Sequence, residues 1–80
     1  MSNELKISEY FAGSSTMTHV CDKECKGISI KNDGSSLLTF TVNNLTITVK
    51  PGECFEDTLE YFNTITVNAT GAFRCVCKSY

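Results

Sequence analysis

Histidine occurs only once in this 80-residue chain, at position 19. Nucleophilic and general acid–base catalysis need a base held beside a nucleophile or a second titrating group. No paired carboxylates and no Gly-rich phosphate loop accompany His19, so the sequence offers no catalytic residue and predicts a non-enzyme. Basic residues are also sparse. Seven Lys and Arg stand against nine Asp and Glu, for a net charge of −2, and they form no run. That argues against the basic stripe that nucleic acid requires. No apolar run is long enough to span a membrane as a helix. Residues 1–7 lack the apolar core of a signal peptide, so secretion by that route is not expected. No segment holds a helical period, and there is no internal repeat, low-complexity tract or linker. Tryptophan is absent. Carbohydrate binding would therefore lean on Tyr10, Tyr61 or Tyr80.

What the chain does have is alternation. Residues 37–49 read Leu-Leu-Thr-Phe-Thr-Val-Asn-Asn-Leu-Thr-Ile-Thr-Val, two apolar-polar runs flanking Asn43-Asn44. Asn tolerates the positive φ that a two-residue hairpin turn demands. Closing that turn pairs Val42 with Leu45, Phe40 with Ile47 and Leu38 with Val49 on one face. The opposite face then carries Thr41 opposite Thr46 and Thr39 opposite Thr48.

The remaining strands follow from the same period. Residues 1–26 read as a less regular arm and loop: Leu5, Ile7 and Tyr10-Phe11 suit an edge strand or a short docking arm, Met17–Val20 a short strand, and the polar Cys21–Lys26 a loop or irregular edge. Residues 27–80 read as the main hairpins. Asn32-Asp33-Gly34-Ser35 and Lys50-Pro51-Gly52-Glu53 are turn signals, the second with Pro setting φ and Gly supplying a positive one. Cys54–Tyr61 fits either a short strand or a helical turn. Ile65 and Val67 alternate with Thr64 and Thr66. A three-residue loop Ala69-Thr70-Gly71, with Gly71 left-handed, would pair Val67 with Phe73 and Ile65 with Cys75. Short strands broken by turns every 8–12 residues predict one all-β domain over 1–80, a small antiparallel β-sandwich or open barrel built from hairpins. A chain of this size buries only about 60% of its unfolded surface, so its core is thin.

Cys21, Cys25, Cys54, Cys75 and Cys77 admit three readings. They pack as small hydrophobes, they form disulfides with one thiol left over, or four of them hold a metal. The metal candidates are Cys21, Cys25, Cys75 and Cys77, whose thiolates could surround a tetrahedral zinc ion if a bend or bulge brought the pairs together. Cys54 is the odd one out. His19 reads as a surface residue. Glu53, Glu56, Asp57 and Glu60 form an acidic cluster without the spacing of a calcium loop.

Thr39, Thr41, Thr46, Thr48, Thr64 and Thr66 all point away from the expected core. Thr suits a pleated surface, which alone accounts for their presence. An uncharged hydroxyl face also loses little on desolvation, and open sheet edges offer unpaired backbone groups. Together with a thin core, these features favour a homo-oligomer or a component of a larger assembly, with the six threonines as the interaction face.

Three blocks carry a resemblance: Gly27-Ile-Ser-Ile-Lys-Asn-Asp-Gly-Ser-Ser-Leu-Leu-Thr-Phe-Thr-Val-Asn, then Val49-Lys-Pro-Gly-Glu, then Phe62-Asn-Thr-Ile-Thr-Val-Asn-Ala-Thr-Gly-Ala-Phe-Arg. Over about residues 27–76 the chain resembles short β-sandwich accessory proteins encoded by phages and prophages of Bacillus-type bacteria. The resemblance implies a virion decoration, fibre or tail-associated module, made in the host cytoplasm and then carried in the virion. It brings no catalytic residues and no cofactor, and Cys75 and Cys77 depart from its pattern. Two other readings stay open: a small viral anti-defence protein binding a host protein or a signalling nucleotide through Arg74, Lys78 and Tyr80, and a zinc-stabilised or carbohydrate-binding module.

Overall fold

Residues 4–80 are described in the computed structural model; residues 1–3 of the expected N-terminal arm lie outside them. Six strands make up the fold: β1 (Lys6–Gly13), β2 (Met17–Asn32), β3 (Leu38–Val42), β4 (Leu45–Val49), β5 (Cys54–Asn68) and β6 (Phe73–Ser79). They form a single open antiparallel sheet in the order β1-β6-β2-β5-β3-β4. The all-β class follows from the alternation that the sequence carries.

β2 and β5, of 16 and 15 residues, are long enough to serve two halves of the sheet. Residues 27–31 of β2 pair with residues 54–58 of β5, and residues 27–32 pair with β6 on the other side. Residues 17–20 of β2 pair instead with residues 64–67 of β5, and β3 and β4 follow beyond. Between these stretches the register shifts on both sides of the Cys25–Phe62 pair. Extra residues in a ladder bend the strand that carries them and sharpen its twist. Across that bend the halves pack together: Phe40 of β3 meets Phe55, at the far end of β5, with ring centroids 5.4 Å apart. The core holds Ile28, Ile30, Leu38, Phe40, Val42, Ile65, Val67, Phe73 and Cys75, each 1% exposed or less. Each large aliphatic or Phe side chain buried this way contributes about 1.5–3 kcal/mol.

The β3–β4 hairpin has the register expected of it, and Asn43 and Asn44 take φ values of 50° and 66°. Asn43 also donates from Nδ2 to the carbonyls of Glu60 and Tyr61, at 3.2 and 3.0 Å, tying the turn to the bend of β5. Gly52 takes φ 81° in the Lys50–Glu53 turn, closed by a 3.0 Å bond from Glu53 N to Lys50 O.

Two expectations are corrected, and one open choice, over Cys54–Tyr61, is resolved. Cys21–Lys26 is not a loop but the middle of β2, where the register shifts fall; its polarity reflects the bend, not an absence of strand. Cys54–Tyr61 is strand throughout. β5 and β6 do not form a hairpin. Residues 64–67 of β5 have β2 on one side, and Thr66 and Val67 have β3 on the other, so β6 crosses to lie between β1 and β2. Phe73 pairs with Gly13 and Asn32, and Cys75 with Phe11 and Ile30, rather than with Val67 and Ile65. The buried face is nonetheless the expected one, since Ile65, Val67, Phe73 and Cys75 all point inward. Gly71 is not left-handed; an added Cβ there would sit 3.1 Å from Gly34 Cα, so its glycine permits a close approach of two loops.

Candidate functional site

Two features stand apart from the packing. The first is the outer face of the half built from β4, β3, β5 and the start of β2. Because Thr41 pairs with Thr46 and Thr66, and Thr66 pairs with Thr18, one row of threonines crosses four strands. Hydroxyls bond along it, Thr41 to Thr46 at 3.0 Å and Thr18 to Thr66 at 3.2 Å. Thr48, Thr39 and Asn68 make the adjoining row, and Thr64 lies beside Val20. None of these residues is charged, and none is buried. All six threonines named from the sequence thus share one face. Thr18, Val20 and Asn68 complete it and were missed; Met17–Val20 reads as a short strand, but nothing in its sequence puts it beside β5.

β4 closes this half as an edge strand. It is uncharged from Leu45 to Val49, with Leu45 exposed and Ile47 half-buried. Unpaired edges of this kind accept a further strand unless something covers or blunts them.

The second feature lies inside the bend. His19 Nε2 donates to Glu9 Oε1 at 2.7 Å, and the Asp22 amide donates to Glu9 Oε2 at 2.6 Å. His19 is therefore a half-buried, paired residue and not the surface one expected. Its ring stacks on Phe11 with centroids 4.2 Å apart and an 11° interplanar angle. Burial of Glu9 opposes its ionised form, but the bonds from His19 and the Asp22 amide outweigh it and hold the carboxyl below its ordinary range. Cys21 Sγ joins the pair: the ligating atoms of Glu9, His19 and Cys21 all lie within 4.8 Å of one another.

Around this trio the bend collects thiols. Cys21 neighbours Cys25 and Cys77, and Cys77 neighbours Cys75. Cys25 Sγ lies 3.5 Å from the Ser8 hydroxyl and donates to the Lys23 carbonyl at 3.6 Å. All four are buried, whereas Cys54 is exposed, and all five are free thiols. Burial and the adjoining thiols push the Cys21 thiol up; the Cys75 contact and burial do the same to Cys77. Raised thiols are poor nucleophiles, because the thiolate is the reactive form. Of the four cysteines named from spacing, only Cys21 has its sulfur grouped with other ligating atoms among the described residues, and its companions are Glu9 and His19 rather than further thiols. Glu9 could not be found from the sequence, since it sits on a strand that does not pair with β2.

Other candidates disperse. Arg74 forks onto Asp33 at 2.7 and 3.1 Å, and Lys78 pairs with Glu56 at 2.8 Å, so the cations suggested for a nucleotide are already engaged. Arg74 does line a shallow hollow of about 320 Å³ with Tyr10, Ser29, Lys31, Cys54 and Val76, but Lys31 donates to the Gly52 carbonyl. In the acidic segment, Glu53 accepts from the Lys50 amide and Asp57 from the Thr58 amide. No helix among the described residues is long and apolar enough to cross a membrane. Compared with known proteins, the chain matches no family model and no curated protein.

Proposed function

We propose that this chain is a non-enzymatic structural module of a phage particle, a decoration, fibre or tail-associated component, that works by associating with further copies of itself through the threonine face and the β4 edge. The observation that carries this reading is the uncharged row Thr46–Thr41–Thr66–Thr18, continuous across four strands. Surfaces of soluble domains are ordinarily laced with Lys, Glu, Asp and Arg. A face of this extent without them avoids the desolvation of charge that opposes association. Its hydroxyls already bond to one another, so covering them strands few polar groups. The β4 edge beside it offers backbone donors and acceptors that fix orientation.

Light scattering across a concentration series tests the reading. The wild-type chain is expected to self-associate, and the double substitution Thr46→Lys with Thr66→Lys to give a monomer of unchanged circular dichroism. A wild-type chain that stays monomeric at high concentration and is missing from purified particles contradicts it.

A further inference from the structure

We propose that Glu9, His19 and Cys21 form a site for one tetrahedral zinc-class ion, which ties β1 to the first half of β2 and keeps its fourth position for water. This does not depend on the docking reading above. The donor set comprises one carboxylate oxygen, one imidazole nitrogen and one sulfur. Calcium and magnesium ask for six or more oxygens or for retained water, whereas thiolate with imidazole selects zinc and its borderline neighbours.

The geometry is near to what such an ion needs. Bonds of about 2.0–2.3 Å at tetrahedral angles separate ligand atoms by roughly 3.3–3.8 Å. The ligating atoms of Glu9, His19 and Cys21 lie within 4.8 Å of one another, and the closest of them, Glu9 Oε1 and His19 Nε2, are 2.7 Å apart. Side-chain rotations that open the short pair and draw in the sulfur, by about 1 Å or less, meet the requirement. In doing so the ion takes the place of the proton on His19 Nε2, and the neutral ring carries its proton on Nδ1 instead.

No further His, Cys, Asp or Glu among the described residues brings its ligating atom within 4.8 Å of all three, so the fourth position is left to water. The outer supports are in place as well. The Phe11 ring fixes the plane of the imidazole, and the Asp22 amide holds Glu9 Oε2, leaving Oε1 to face inward. Second-layer bonds of this kind orient ligands and tune their affinity. Binding displaces the proton of the Cys21 thiol to solvent, leaving a dication among one thiolate, one carboxylate, a neutral imidazole and water.

Titration of the reduced full chain with zinc chloride, and separately with cobalt chloride, tests the site. One equivalent of zinc is expected per chain, with a rise in Tm that a chelator reverses. Cobalt is expected to give the intense visible bands of a tetrahedral ion and a sulfur-to-cobalt charge-transfer band. Glu9→Gln, at the solvent edge of the cluster, should weaken binding at least about tenfold while the circular dichroism is unchanged. Cys21→Ser should abolish the charge-transfer band, while Cys25→Ser, Cys54→Ser, Cys75→Ser and Cys77→Ser leave it whole. The proposal is overturned if the reduced chain takes up no zinc, if His19→Ala binds as tightly as wild type, or if the charge-transfer band survives Cys21→Ser.

Discussion

Phe11 and His19 lie face to face, 4.2 Å between ring centroids, although their strands, β1 and β2, share no backbone ladder. The contact joins the edge of one half of the sheet to the start of the other, and Phe73 meets Phe11 edge-on at 6.3 Å. Stability of a chain this size is about 4–12 kcal/mol in total. Phe11→Ala removes a buried ring and is expected to destabilise by about 3–5 kcal/mol, a large share of that margin. Phe11→Leu, which keeps most of the volume, should lose under about 2 kcal/mol. Urea unfolding followed by far-UV circular dichroism reads both values.

Asn32 is the polar counterpart of that contact. It is 2% exposed, and its Nδ2 donates to the carbonyls of Ser36 and Val49 at 2.8 and 3.0 Å, while Oδ1 accepts from the Gly34 amide at 2.9 Å. Its backbone bonds reach Glu53 O and Gly52 N. One residue thus ties the end of β2, the loop after it, the end of β4 and the next turn. Asn32→Ala leaves two carbonyls and an amide without their partner and is expected to destabilise by about 2–4 kcal/mol. Asn32→Asp keeps the shape but turns a carboxylate toward two carbonyl oxygens, so it should be worse than Ala at neutral pH. Protonation restores one donor. The carboxyl is therefore raised in the folded state, and part of the loss should be recovered as the pH falls, in denaturant melts at pH 4 and pH 7.

These two contacts show which parts of the fold the sequence could express. The β3–β4 register was legible because Asn43-Asn44 closes the shortest turn available, and parity then puts Leu38, Phe40 and Val42 on one side. The inward faces of Ile65, Val67, Phe73 and Cys75 were legible for the same reason. The partner of β6 was not, because period 2 fixes a face and says nothing about which strand lies alongside. The loop 69–72 reads equally well as a tight hairpin or as a crossing. In the thiol cluster, residue spacing pointed to Cys21, Cys25, Cys75 and Cys77, but Glu9 enters through the crossing of β1 over β2, which no local pattern encodes. His19 carried the one available signal: it shares parity with the buried Cys21, and a histidine on an inward face needs a partner.

Asp33 and Arg74 join the loop after β2 to β6 through two bonds, at 2.7 and 3.1 Å. The Arg74 hydrogen bond holds the Asp33 carboxyl below its ordinary value. A depressed carboxyl stabilises the fold above its unfolded value, and that contribution disappears as pH falls through the folded one. Both groups are solvent-accessible, so the effect is small and screened by salt. Asp33→Asn should therefore lower Tm slightly at pH 7, converge with wild type in strong acid, and flatten the acid limb of a Tm-against-pH curve. A mutant curve parallel to wild type down to pH 2 would show that the pair contributes nothing.

Gly34 and Gly71 meet where the loop after β2 crosses the loop before β6. A Cβ at either would sit 3.1 Å from the Cα of the other, against backbone that cannot swing aside as a side chain would. Gly34→Ala and Gly71→Ala are each expected to destabilise by about 1–3 kcal/mol through overpacking. Gly52→Ala differs in mechanism: there is open space around it, but its φ of 81° is one that L residues resist, so about 1–2 kcal/mol is expected from strain alone. Double-mutant cycles separate the two causes. Gly34→Ala already forces the loops apart, so adding Gly71→Ala should lose less than its single value, with a coupling on the order of 0.5 kcal/mol or more. Gly34→Ala with Gly52→Ala should be additive, because the strain at Gly52 is local to its own backbone. Additivity in the first pair would mean that the two loops do not hold their close approach in solution, and that the crossing of β6 is maintained by its ladders with β1 and β2 alone.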